Sequence, residues 1–274
     1  MLVLKNVSKS FGRSTVLRDV SFRIDPGEFV CITGPSGAGK STLIRLLTGA
    51  EPVSGGGVSI DGVDLRLVPP PVLQIFRRRV GIVFQDRKLL GDRTVRENIS
   101  FPLEVCGVPD AIIAQRVSEL MRAMDLLKAG AMYPRELSGG EQARTAIARA
   151  VVHKPMILLA DEPTGNIDPD QSAGIMRLFA DIHRKGTTVI VATHDAGLVD
   201  ALRTRVIRLE EGRVVRDSFG GYGLAKGKDE EDRPKQHRIF QDAPVGLVAK
   251  ETWKDAEPDA RRQGKKIKVT AIGG

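Results

Sequence analysis

The sequence predicts an α/β domain with a helical insertion, and three observations lead to that class. Short apolar runs alternate with turn signals from Leu2 to about Val58. From about Thr94 to Val152 the periodicity becomes largely helical, and strand-like runs return after it. A chain of 274 residues, 41% hydrophobic and 28% charged, has the size and composition for one such domain plus a short appendage.

Taken in order, LVLKNV and VLRDVSFRI alternate like half-buried strands, and DPGE at Asp25 to Glu28 reads as the turn into the next. FVCIT (Phe29 to Thr33) is a continuous apolar run, as expected for a strand covered on both faces. A glycine-rich loop follows, then STLIRLLTG at helical spacing, with Gly49 as its stop. VGIVFQ (Val80 to Gln85) is a further buried strand, and AIIAQRVSELMRAMDLL belongs to the helical insertion. MILLAD and TTVIVATH resume the strand pattern around a helix from Gln171 to Arg184. VIRLE and RVVRD, joined by EGR, form a terminal hairpin. Beyond Ser218, GGYGLAKGKDEEDRPKQHR mixes glycine, lysine and acidic residues without a period, which predicts a flexible segment. Only KKIKVTAI near the end has the makings of a strand. The expected organisation is therefore a domain over 1–218, its helical subdomain at about 86–153, and a flexible C-terminal extension at 219–274.

A net charge of +8 and a pI near 9.7 favour anionic partners. Residues 219–274 hold 12 lysines and arginines against 9 acidic residues, so most of the excess lies in the folded part. Aromatic residues make up only 4%, which argues against a base-stacking surface, and no nucleic-acid partner is expected. Cys31 sits in an apolar run and Cys106 in LEVCG; neither suggests a metal cluster or disulfide framework, and a reducing cytosol is the simplest setting. MLVLKNVSKSF carries charge where a signal peptide needs an apolar stretch. No window is apolar enough to span a bilayer, so another polypeptide must supply any spanning part.

GPSGAGKST, Gly34 to Thr42, matches G-x-x-x-x-G-K-[ST] between a strand and a helix. Glycines there let backbone N–H groups turn inward around phosphates, and the helix start adds positive potential. Lys40 can reach the β- and γ-phosphates and the Ser41 hydroxyl can ligate Mg²⁺. In MILLADEPTGNID a strand delivers two carboxylates to its C-terminal end: Asp161 to hold Mg²⁺ through its water shell, Glu162 to polarise the attacking water. LSGGEQ, Leu137 to Gln142, places small residues at a second helix start. One chain needs one cradle for its γ-phosphate, so this second site is expected to serve a partner's ATP.

With these motifs in order, the sequence resembles the ABC ATPase family over about residues 1–216. The resemblance implies an ABC-type P-loop ATPase domain with an antiparallel β subdomain and helical insertion, binding ATP and Mg²⁺. It assigns the phosphate loop to Gly34, Pro35, Ser36, Gly37, Ala38, Gly39, Lys40, Ser41 and Thr42, with Phe11 stacking on adenine where Tyr is usual. Gln85 is implied as the Q-loop residue, touching nucleotide and Mg²⁺ beside Ser41 and Asp161. Ser138, Gly139, Gly140 and Glu141 are implied as the signature, and Asp168 as the D-loop residue. Catalysis is implied for Glu162, with His194 as the switch histidine. Lys40 and Glu162 of one subunit would face Ser138, Gly139 and Gly140 of the other in a head-to-tail homodimer. Ala143 before Arg144, and Thr145, depart from the family pattern, but neither position touches phosphate in it.

GIVFQDRKLLGDRTVRENISFPLEVCG, with its DRTV phrase, is most similar to the cell-division branch of the family. That similarity implies the four-helix membrane protein FtsX as partner, a peripheral place on the cytoplasmic face of the inner membrane, and a signal to cell-wall hydrolases. LLADEPTGNID is shared with lipoprotein-releasing and macrolide-export ATPases, which stand as the alternative. A nucleic-acid-handling ABC protein is a third reading. Such proteins usually carry a coiled-coil insertion or second cassette, and this chain has no sustained heptads.

Overall fold

The computed structural model describes residues 1–221 apart from Asn166. Of the extension expected at 219–274, Phe219 belongs to the last strand instead, and residues 222–274, with the strand expected in KKIKVTAI, lie outside the described residues.

Among the described residues ten strands form two sheets. β1 (Leu2–Phe11) and β2 (Ser14–Ile24) make an antiparallel hairpin, and β4 (Gly55–Ile60) and β5 (Val63–Asp64) extend it in the order β2-β1-β4-β5. Alternation of apolar and polar residues builds this half-buried sheet: Leu2, Leu4, Val7, Leu17, Val20 and Ile24 are all buried. The second sheet runs β10-β9-β3-β8-β7-β6. Its members are β3 (Phe29–Thr33), β6 (Val80–Val83), β7 (Ile157–Asp161), β8 (Thr188–Ala192), β9 (Arg205–Glu210) and β10 (Arg213–Phe219). All of its neighbours pair in parallel except the β9–β10 hairpin.

Every residue of β3, β7 and β8 is buried, because both faces of this sheet are covered. On one face Cys31, Val83, Leu158, Ala160, Val189, Val191 and Val206 join a core with α3 (Val95–Val105), α4 (Asp110–Ala123), α5 (Gly139–Val151) and α6 (Pro169–Arg184). On the other, Val30, Ile32, Leu159, Ile190, Ala192 and Ile207 meet the β1–β2 hairpin and α1 (Lys40–Leu47). The period of two along each strand therefore sorts consecutive residues into separate cores. Completing the elements are α2 (Pro70–Arg77), which buries no residue, and α7 (Ala196–Leu202).

Several element ends differ from the sequence reading, two of them near the site. β6 stops at Val83, so Phe84 and Gln85 lie in the exposed segment beyond it. α6 begins at Pro169, two residues earlier than Gln171, because proline suits the first turn of a helix and Asp168 caps it. No helix among the described residues is long and apolar enough to cross a membrane.

Candidate functional site

β3, β8 and β7 are neighbours and run parallel, so their carboxyl ends deliver three segments to one edge of the sheet. β3 leads into the loop from Gly34 to Gly39, β7 ends on Asp161 with Glu162 next, and β8 leads to Thr193 and His194.

The loop's glycines are required by its path. Gly34 has φ 143°, and a Cβ there would stand 2.1 Å from the Leu209 carbonyl oxygen. Gly39 has φ 102° and caps α1 without any side-chain hydrogen bond, leaving the first-turn amides of that helix open to an anion. Lys40 is buried, and its Nζ donates to the carbonyls of Gly34 (2.9 Å) and Pro35 (3.2 Å). The amine is thus held in the centre of the loop.

Asp161 and Glu162 are both buried. Burial pushes the Asp161 carboxyl above the usual range, opposed by the Ser41 hydroxyl and reinforced by the charge of Glu162. Asp161 Oδ1 has no hydrogen-bond partner. A buried carboxylate oxygen beside a serine hydroxyl is the hard oxygen donor set that Mg²⁺ prefers, so these residues fit that ion. Glu162 takes a left-handed backbone, φ 46°, and its N–H donates to the Ala192 carbonyl of β8. Its Oε1 accepts from His194 Nδ1 at 2.8 Å and lies 3.6 Å from Lys40 Nζ. Its side chain is 11% exposed, that of His194 69%. A sheltered carboxylate with one cationic neighbour and one solvent-facing imidazole can take a proton from water at the edge of the loop.

Gln85 is exposed beyond β6, whose register against β7 ends on the Val83–Ala160 pair, so Gln85 and Asp161 follow neighbouring strand ends. Phe11 is 43% exposed at the end of β1, with Lys9 Nζ 4.6 Å from its ring centroid. Lys9 is itself buried and donates to Glu51 and to the Pro52 carbonyl. Sequence reasoning passed over Lys9, because a lysine in an alternating strand looks solvent-facing. Ser138 caps α5: its Oγ accepts from the Glu141 N–H, and the Glu141 carboxylate accepts from the N–H and hydroxyl of Ser138. These bonds depress the Glu141 carboxyl below its ordinary range. Asp168 Oδ1 accepts from the Gln171 N–H and serves as the cap of α6. A Cβ on Gly140 would stand 1.8 Å from Gln171 Oε1, so the start of α5 fits closely against the first turn of α6.

The glycine loop, Asp161, Glu162 and His194 are thus brought together, whereas the LSGGEQ helix is not among them. α1 belongs to one core and α5 to the other, on opposite faces of the six-stranded sheet.

This chain belongs to the ABC transporter family, whose model matches residues 17–165, and it is accordingly a nucleotide-binding ATPase. Within that family it falls in the FtsE group of cell-division ATPases. It is 48% identical over 225 residues to the cell division ATP-binding protein FtsE of Streptococcus pneumoniae serotype 2, covering 81% of this chain and 98% of that protein. The cell division ATP-binding protein FtsE of Escherichia coli K12 is 43% identical over 224 residues, covering 81% of this chain and 99% of the relative. A dimeric ATP-binding cassette in a post-hydrolysis state, bound to ADP and Pi, superposes with a TM-score of 0.74 at 34% identity, covering 80% of this chain and 98% of that one. The lipoprotein-release or macrolide-export alternative is not favoured by these relatives.

Proposed function

We propose that this chain is the engine of a cell-division complex: it closes on Mg-ATP as a head-to-tail homodimer and drives the membrane protein FtsX from the cytoplasmic face. The observation that carries the dimer is the placement of α1 and α5 on opposite faces of one sheet. Two anion-binding helix starts so separated serve two phosphate chains, and a second copy supplies what the first lacks.

Within this reading the amides of Gly34 to Gly39 and the Lys40 ammonium hold the β- and γ-phosphates, and Phe11 stacks on the adenine. Ser41, Asp161 and Gln85 would hold Mg²⁺, which when bound neutralises and orients the β- and γ-oxygens. Glu162 takes the proton of the attacking water, with His194 fixing the carboxylate through the Nδ1 contact. Ser138, Gly139 and Gly140 of the second protomer close over the γ-phosphate. Glu141 positions Ser138 through the cap described above, and Asp168 sets the loop that approaches the opposite protomer. Closure then passes through the exposed segment around Gln85 to FtsX, and from there to cell-wall hydrolases outside.

Glu162→Gln preserves size and one hydrogen-bond acceptor while removing the base. With Mg-ATP, this variant is expected to bind nucleotide, hydrolyse it roughly 10²–10⁴-fold more slowly, and accumulate as dimer. Recovery of an FtsX-like four-helix protein from gently solubilised membranes supports the division role. Recovery of a lipoprotein-release or efflux permease instead would overturn that role, and wild-type turnover would remove Glu162 as the base.

A further inference from the structure

One guanidinium joins the segment after β6 to α5 and to the turn after Glu162. Arg87 follows Gln85 in the segment after β6, and its Nη1 donates to Gln142 Oε1 at 3.2 Å. Its Nη2 donates to the Gly165 carbonyl at 3.1 Å. Both acceptors lead directly to proposed working residues. Gln142 Nε2 donates in turn to the carbonyls of Pro134 (3.0 Å) and Leu137 (3.3 Å), and Leu137 immediately precedes Ser138. The Gly165 N–H donates to the Glu162 carbonyl at 3.0 Å, closing the turn on which Glu162 sits.

The segment bearing Arg87 is itself clamped. Arg149 of α5 donates to the carbonyls of Arg87 (2.9 Å) and Lys88 (2.8 Å). Both of those residues hold left-handed backbones, φ 57° and 43°, which a non-glycine residue keeps only when its surroundings impose it. The buried Asn98 side chain accepts from the Leu90 N–H and donates to the Leu90 carbonyl. Among the described residues Arg87 makes no ion pair, and burial lowers its pKa. A partly desolvated guanidinium without a counter-ion is retained for its planar fork, which reaches two acceptors on different segments at once.

We propose that Arg87 is a positioning residue for ATP hydrolysis, tying the partner-facing segment after Gln85 to the Glu162 turn through Gly165 and to the Ser138 loop through Gln142. Its guanidinium bonds go to Gln142 and Gly165 and not to the glycine loop. It therefore acts on the geometry of the closed dimer rather than on nucleotide capture. This rests on the assignment of Glu162 and Ser138 made above.

The test is steady-state Mg-ATP hydrolysis by the full chain carrying Arg87→Met, Arg87→Lys, Gln142→Leu and the Arg87→Met/Gln142→Leu pair, with nucleotide affinity measured on each. Arg87→Met is expected to lower kcat on the order of tenfold, with KM and nucleotide Kd within about twofold of wild type. Arg87→Lys should fail to restore the rate, because a point charge cannot bridge both acceptors. The pair should be no slower than its slower single member. Multiplying effects, full rescue by lysine, a change confined to KM, or wild-type kcat in Arg87→Met would each overturn the proposal. If Arg87→Met does not fold, Arg87→Lys carries the same comparison. A Glu162→Gln chain that still hydrolyses ATP would sink the underlying reading instead, so the two failures are distinguishable.

Discussion

Truncating Lys40 to alanine separates what this side chain does for the loop from what it does for the nucleotide. In the structure Nζ satisfies the buried Gly34 carbonyl and the Pro35 carbonyl, and it stands 3.6 Å from the Glu162 carboxylate. Deleting it leaves the Gly34 oxygen unpartnered, which costs about 1–3 kcal/mol. Pro35 is exposed, so its carbonyl regains water. For a domain of this size that loss lowers Tm by roughly 2–12 °C. In the proposed binding mode Nζ exchanges neutral carbonyls for anionic oxygens, and a hydrogen bond to a charged group contributes about 1.5–3 kcal/mol. ATP affinity should therefore fall about 10- to 150-fold. The loss should be smaller for ADP, which lacks the γ-phosphate. Calorimetric titration of Lys40→Ala with Mg-ATP and Mg-ADP, beside a thermal melt of the free protein, reads both quantities. Wild-type ATP affinity in a folded Lys40→Ala chain would refute the placement of Lys40 on the phosphates; an equal loss for both nucleotides would refute its reach to the γ-phosphate.

Gly81→Ala would put a Cβ 2.2 Å from the Ala150 carbonyl oxygen, a backbone atom of α5 that cannot step aside. Overpacking costs about 1–3 kcal/mol or more, and a melt showing unchanged Tm would contradict the close approach of β6 to α5. Cys31 is fully buried and its thiol is pushed up to about 11 by burial. A maleimide at neutral pH should label the native protein at Cys106 alone, both cysteines reacting after denaturation; rapid native labelling of Cys31 would show that the core opens. The depressed carboxyl of Glu141 contributes stability that is present above its unfolded value of 4.5 and lost as pH falls through the lower folded value. The Tm difference between wild type and Glu141→Gln should shrink on acidification toward pH ~3, and a difference independent of pH would remove the charge from the cap.

The strands flanking the glycine loop were legible because each is a continuous apolar run ending in polar residues, as FVCIT and ILLAD are. Other elements gave no such signal. β4 begins with Gly55-Gly56-Gly57, which reads as a turn; Gly56 is there because a Cβ would meet the Asn6 carbonyl carbon at 2.4 Å across the sheet. α2 opens on prolines and spans only Pro70–Arg77, so its apolar residues Val72, Leu73, Ile75 and Phe76 fill too short a window for a helical period to stand out. At the site, residue types could be read from spacing, but their geometry could not. The left-handed backbone of Glu162 and its contact with His194, 32 residues on, arise from β7 and β8 lying side by side. The Arg87 fork joins residues 55 and 78 positions apart, and no local pattern encodes it.

The separation of α1 and α5 by the central sheet also has a consequence for inheritance. A chain damaged only at Lys40 keeps its Ser138 surface, and one damaged only at Ser138 keeps its phosphate loop. In the proposed head-to-tail dimer the two, mixed in equal amounts, pair by chance, and each hybrid pair would regain one undamaged catalytic interface. Two inactive alleles in one cell would thus partly complement each other. A single defective allele, by drawing intact chains into half-working pairs, would spread its damage over most dimers while lowering the number of intact interfaces only in proportion to its share.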